Sequence, residues 1–216
     1  MAEGNLPGLN VVIDISHHNG HIDFDAVADA GILGVIQKAT EGRDFSDKTL
    51  ADNRKRALAA GLLFGTYHFG TASDPLAQAE HYLSVVKPRK GEIIALDFEK
   101  NEHDPANSMS FSQARSFVSH MLDTLPDRQL GFYSGDRIKE ALGSKHDPLL
   151  AKCWFWLAQY GERPTVPPNW TKFTLWQYTN GILGPPPHSV AGVTGNCDRD
   201  RFNGTAEELR SFWKSA

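Results

Sequence analysis

Short apolar runs alternate with helical stretches over the first two-thirds of the chain. The run NVVIDI (10–15) ends near an acid, and the polar segment SHHNGHID (16–23) follows it. FDAVADAG (24–31) then has helical spacing and closes on Gly31, a residue that tolerates the left-handed turn at a helix end. The same unit recurs. Strands are predicted at LGVIQKAT (33–40), LLFGTYHFG (62–70), GEIIALDFE (91–99) and QLGFYSG (129–135). Helices are predicted between them, at 47–60, at 75–86 behind the cap and first-turn pair Asp74-Pro75, at 111–125 behind Ser110, and at 136–142.

The last third breaks this rhythm. CWFWLAQYG (153–161), KFTLWQYT (172–179) and a short piece near 197–202 read as strands with no good helix between them. A final helix is expected at 205–214. Strands that are apolar throughout and alternate with helices belong to a parallel sheet covered on its outside. About eight of them suggest a closed barrel with irregular late helices. An open doubly wound sheet is the alternative, but no glycine-rich phosphate loop follows the first strand.

Length and charge narrow this further. The 216 residues suit one sizeable domain, with 10–216 as the barrel and 1–9 as an N-terminal extension. A net charge of −4, with acids and bases scattered, argues against nucleic acid as the partner, because phosphate binding needs a basic patch. No apolar run reaches the roughly 20 residues of a membrane span, so no membrane partner is expected, and a monomer is. MAEGNLPGLN lacks the basic and apolar regions of a secretory signal. Cys153 and Cys197 make no disulfide framework; free thiols are expected, with a single bridge between them as the alternative.

The chemistry collects where a parallel barrel keeps its functional residues, at the strand ends. Asp14 ends the first run, Lys38 and Glu41 the second, Tyr67, His68 and Phe69 the third, and Asp97, Phe98 and Glu99 the fourth. Tyr133 ends the fifth; Trp156, Gln159, Tyr160, Trp176, Gln177 and Tyr178 follow on later strands, and the last ends near Asp198 and Asp200. Asp97 and Glu99 lie two apart on a strand and so face the same side. Two acids at the end of an apolar run raise each other's pKa, and one protonated beside one ionised carboxyl is what glycosidic cleavage uses. A structural ion pair or a metal-ligand pair is the competing explanation. His17 and His21 have H-x-x-x-H spacing, but Asn19 and Gly20 between them favour a loop, so no metal and no cofactor is predicted. His68 is expected to be a packed, hydrogen-bonding histidine.

Read together and in order, the segments VIDISHHNGHIDF (12–24), VIQKATEG (35–42), GTYHF (65–69), AEHYL (79–83), IALDFE (94–99), GFYSG (131–135), WLAQYG (156–161), LWQYT (175–179) and CDRDRFNGT (197–205) cover nearly the whole chain. They resemble the glycoside hydrolase family 25 lysozymes, the Chalaropsis-type muramidases. The resemblance implies an irregular, TIM-like (β/α)5(β)3 barrel and cleavage of the β-1,4 bond between N-acetylmuramic acid and N-acetylglucosamine in bacterial peptidoglycan. It implies Glu99 as general acid, Asp97 as its partner, and Asp14 and Asp198 as the other two acids. The final family motif usually reads Asp-x-Asn; here Asp200 stands in the third place, which leaves open whether Asp198 or Asp200 faces the site. Tyr67, Phe69, Tyr133, Trp156, Trp176 and Tyr178 are the candidates for sugar contacts, with core packing the alternative for each. Two other functions stay open: a non-catalytic glycan-binding barrel, and a metal-dependent deacetylase or amidase using Asp14, His17 and His21. The setting implied is a phage endolysin released through a holin, or a bacterial toxin or autolysin exported without a signal.

Overall fold

A computed structural model describes residues 6–216. Five β/α units come first: β1 (Leu9–Ile15) with α1 (Phe24–Asp29), and β2 (Gly34–Glu41) with a two-residue strand β3 (Phe45–Ser46) and α2 (Leu50–Ala59). Then come β4 (Leu63–Phe69) with α3 (Pro75–Val86), β5 (Ile93–Asp97) with α4 (Phe111–Thr124), and β6 (Leu130–Ser134) with α5 (Asp136–Leu142). Three strands without intervening α-helices follow, β7 (Trp154–Ala158), β8 (Leu175–Thr179) and β9 (Asp198–Phe202), and then α6 (Ala206–Lys214). The helix starts follow local rules. Asp74 accepts from the Ala77 amide with Pro75 in the first turn, and Ser110 and Gln113 form a reciprocal capping box.

The strands make one sheet in the order β1-β9-β8-β7-β6-β5-β4-β2-β3, and β1 also pairs with β2, so eight strands close into a barrel. This is the expected single-domain (β/α)5(β)3 architecture. One direction differs from expectation: β9 runs antiparallel to both β1 and β8. Asp198 therefore begins its strand instead of ending it, and still reaches the barrel mouth because the strand is reversed. Only residues 6–9 of the expected N-terminal extension are among the described residues. Leu9 already belongs to β1, and the Arg201 guanidinium donates to the carbonyls of Leu6, Pro7 and Gly8. Residues 1–5 lie outside the described residues.

Alternation along the strands sorts side chains into two cores. Outward residues such as Ile13, Val35, Phe64, Leu96, Phe132 and Phe155 pack under the helices. Inward residues, among them Val12, Ile36, Ile93, Trp154 and Leu175, fill the lumen with Leu209 and Trp213 of α6. Large and small residues alternate to fit. A Cβ on Gly131 would lie 2.3 Å from the Trp154 ring, and one on Gly65 would lie 2.4 Å from Ile93 Cγ1. Helix α6 closes the end opposite the C-terminal ends of the parallel strands: Trp213 is fully buried, rests against Gly34 at the start of β2, and donates from Nε1 to the Phe64 carbonyl at 3.0 Å.

Trp213→Ala is therefore expected to cost about 3–5 kcal/mol, the usual range for truncating a buried tryptophan. Urea unfolding of the full chain measures it. A loss under about 1 kcal/mol would show that this plug carries no core packing.

Candidate active site

At the open end the inward positions turn polar, and each arrives by a simple rule of register. Asp14 lies opposite Asp198 across the β1–β9 ladder, and Gln177 lies opposite Asp200 across β8–β9. Asp97 is the last residue of β5 and pairs with Tyr133 of β6. Glu99 lies just beyond the strand end, but the Phe98 amide still donates to the Tyr133 carbonyl at 2.9 Å. The backbone thus stays extended, Phe98 is buried on the outer side, and Asp97 and Glu99 face the same pocket.

That pocket is lined by Asp14, Asp97, Glu99 and Asp198 together with Tyr67, Tyr133, Trp156, Tyr160 and Gln177. All four predicted acids meet there. Asp200 does not line it. It lies fully buried beneath, where its Oδ1 accepts from Trp156 Nε1 at 2.6 Å. Of the six predicted sugar contacts, Tyr67, Tyr133 and Trp156 line the pocket; Tyr67 and Tyr133 each set an edge toward the indole, at centroid distances of 6.1 and 4.8 Å.

The other three are placed elsewhere. Trp176 and Tyr178 are fully buried in the outer core, and Trp176 Nε1 donates to the Gln159 carbonyl at 2.7 Å. Their assignment as sugar contacts is corrected for a plain reason: Gln177 between them faces the lumen, so a period of two turns both neighbours outward. Phe69 is half-buried outside the pocket lining, with the Lys38 ammonium 4.8 Å from its ring centroid. Tyr160 and Gln177 are site residues that the strand-end reading named without giving them a role. Both hydroxyls, of Tyr133 and Tyr160, donate to Gln177 Oε1 at 2.8 and 3.0 Å. This fixes the amide orientation, so Gln177 Nε2 donates to Asp14 Oδ2 at 2.7 Å.

The histidines go elsewhere as well. His68 is buried on the outer face, hydrogen-bonded to Thr40 and Gln78 and stacked on Phe117. Burial pushes it down to about 3, so it stays neutral. His17 contacts Asp47 at 3.0 Å, and His21 is within 3.3 Å of Arg56. Among the described residues no three His, Cys, Asp or Glu side chains are grouped to hold a metal ion. Cys153 and Cys197 are both unpaired and buried.

Electrostatics follow from burial. Desolvation lifts Glu99 to about 7, with repulsion from Asp198 adding to it and Lys38 opposing it. Asp97 is raised well above the carboxylate range by burial and then by Glu99. One of its oxygens, Oδ1, is buried with no hydrogen-bond partner. Desolvation raises Asp14 strongly, with Asp198 and Asp200 adding to it, and lifts Asp198 to about 6. Like charges this close disfavour each other's ionisation, so the cluster retains protons at neutral pH.

A carboxyl whose pKa is raised by folding stabilises the fold least at high pH. The unfolded chain loses the proton first, so stability falls as pH rises from about 4.5 toward 7 for Glu99. Glu99→Gln removes this loss. Its melting temperature is expected to exceed that of the parent at pH 8, by an amount equivalent to roughly 1–3 kcal/mol, with the gap closing below pH 4.5. Equal melting temperatures at pH 8 would show that Glu99 is not desolvated.

Comparison with known proteins agrees with this geometry. The model for glycosyl hydrolases family 25 matches residues 13–183. The chain is 31% identical to lysozyme M1 of Streptomyces globisporus over 212 residues, 91% of this chain and 69% of that one. It superposes on the bacterial lysozyme of Streptomyces coelicolor with a TM-score of 0.80 at 29% identity, covering all of both chains. The muramidase of Trichobolus zukalii gives 0.79 at 25% identity, over 98% of this chain and all of the other. With this fold, these acids and these matches, the chain belongs to family 25 of the glycosyl hydrolases, the lysozyme family, and is a glycoside hydrolase.

Proposed function

We propose that the protein is a peptidoglycan muramidase that cleaves the β-1,4 bond between N-acetylmuramic acid and N-acetylglucosamine, with net retention and participation by the substrate's own acetamido group. The observation that carries this reading is the Asp97–Glu99 pair on one wall of a pocket, the first with a buried, unpartnered oxygen and the second held near pH 7.

The roles follow from proton accounting. Glu99, at the rim and partly protonated at neutral pH, gives its proton to the leaving glycosidic oxygen. The acetamido carbonyl oxygen attacks the anomeric carbon and forms a cyclic intermediate, which water then opens from the same face as the departed group, giving a proton back to the Glu99 carboxylate. The acetamido N–H donates to Asp97 Oδ1, the oxygen left without a partner in the free protein. A donor there favours the charged form of Asp97, and repulsion then keeps the remaining proton on Glu99. Lys38 lowers both carboxyls and limits the accumulated charge. Tyr67, Tyr133 and Trp156 supply aromatic surface to a sugar ring, while Gln177 and Asp198 border the opposite wall.

This reading places the action at the bacterial cell wall, by a monomer. No helix among the described residues is long and apolar enough to cross a membrane.

Mass spectrometry of digested, purified peptidoglycan is expected to find reducing-end muramic acid, with the β-anomer appearing first by NMR. Glu99→Gln and Asp97→Asn are each expected to lower kcat by about 10²–10⁴-fold. Reducing-end glucosamine, freed peptides or full activity in Glu99→Gln would overturn the assignment; the α-anomer appearing first would overturn the retaining step alone.

A further inference from the structure

Asp200 has no part in the mechanism above, yet it is a fully buried acid on the inner face of β9, directly under the pocket. Its surroundings can be worked through donor by donor. Oδ1 accepts from Trp156 Nε1 at 2.6 Å. Oδ2 is buried and meets no N–H or hydroxyl donor. The acid across the ladder is Asp14 of β1: Asp14 pairs with Asp198 while Asp200 pairs with Val12, so Asp14 and Asp200 are diagonal neighbours on the same inner face, and repulsion from Asp200 adds to the raised pKa of Asp14. Asp14 has its own commitment: Oδ2 accepts from Gln177 Nε2, whose amide is locked by the Tyr133 and Tyr160 hydroxyls on its other end.

Two ionised carboxylates have only acceptors and cannot hydrogen-bond to each other. With Asp200 Oδ2 buried and lacking any other donor, the two neighbouring carboxyls can be joined only by one proton between them. We propose that Asp200 is a positioning residue that shares a single buried proton with Asp14 across the β1–β9 ladder, and so fixes the Asp14 carboxyl in the pocket wall at neutral pH. The shared proton does for Asp14 what a hydroxyl or amide donor does elsewhere in proteins, while Trp156 anchors the far end of the pair. The arrangement couples a residue lining the pocket to one that substrate does not reach.

The charged and titratable groups around the pair come from every strand packed on it. Asp198 and Arg199 lie on β9 itself, with the Cys197 thiol just before them. Tyr67 of β4 and Tyr133 of β6 both feel the Asp14 charge, and Asp97 and Glu99 face the pocket from the β5 side. The Arg199 guanidinium is turned outward to the Ser189 carbonyl and the Asn10 side chain, so it moderates the pair without entering it. Burial of Asp14 and Asp200, together with repulsion within the Asp14, Asp198 and Asp200 group, supports retention of the proton well above the ordinary carboxylate range.

The inference concerns Asp14 within the proposed muramidase site, but its test reads protons directly. Side-chain ¹³C NMR of aspartate-labelled full-length protein is titrated from pH 4 to 9, with the two signals assigned by Asp14→Asn and Asp200→Asn. In the parent, the Asp14 and Asp200 signals are expected to move together in a late step above pH 6. In Asp200→Asn the amide supplies the missing donor, and the Asp14 step is expected to fall by at least one pH unit, a tenfold weaker hold on the proton. The kcat/KM profile of the parent is expected to carry, in addition to the Glu99 limb near pH 7, a second alkaline step that Asp200→Asn removes while the Glu99 limb stays and KM at pH 6 stays within twofold. Separate titration of both acids below pH 5 in the parent overturns the shared proton, and a parent spectrum in which no aspartate carboxyl titrates above pH 6 overturns it without any variant. An unchanged Asp14 step in Asp200→Asn overturns it too, and superimposable pH profiles overturn the positioning role. A coupled late step in a protein that releases no reducing-end muramic acid would leave this inference standing and remove the muramidase reading instead.

Discussion

Inserting β9 antiparallel between β8 and β1 is the constraint on which the site depends. A closed barrel needs every strand paired on both edges. Because β9 runs against its neighbours, its first residues lie at the mouth where the parallel strands end. Register then does the rest: Asp198 meets Asp14, and Asp200 meets Gln177. Alternation turns Asp14, Asp97, Glu99 and Asp198 into one pocket, and nothing in the chain can relax that convergence without exposing the lumen.

Such convergence costs stability. Several carboxyls withdrawn from water repel one another, and each pKa in the cluster moves up. The fold offsets the cost with a few well-placed donors and with retained protons, not with a full set of counter-ions. Gln177 donates to Asp14, Trp156 donates to Asp200, and Lys38 bears on Asp97 and Glu99 while paired to Glu41 at 2.6 Å. Below them Trp154, Leu175 and Trp213 pack into a buried, largely apolar floor that supports the polar layer. Under the proposed function, chemistry and stability pull against each other at the same residues.

Much of this was legible in the residues. Helix caps such as Asp74 and Ser110, the continuous apolar strands, and the Asp97–Glu99 spacing each report a local rule that tertiary contacts did not override. The direction of β9 was not legible, because DRDRF is too short and too polar to say which way it runs. Trp176 and Tyr178 were misread because aromatic residues suit both a sugar face and a helix-covered sheet face; the parity set by Gln177 held the answer. Gln177 and Tyr160 drew no role because an amide and a phenol become informative only when their partners, Asp14 and Tyr133, are brought near from distant parts of the chain. The choice between Asp198 and Asp200 resolves through depth, one lining the pocket and the other beneath it, and depth has no local signature two residues apart on a strand.

The account turns on burial holding a proton on Glu99 at neutral pH. The pH dependence of kcat/KM on purified peptidoglycan tests this most directly. The predicted profile falls on the alkaline side with an apparent pKa near 7. An alkaline limb with its midpoint near 4.5, the value of an ordinary glutamate, would contradict it.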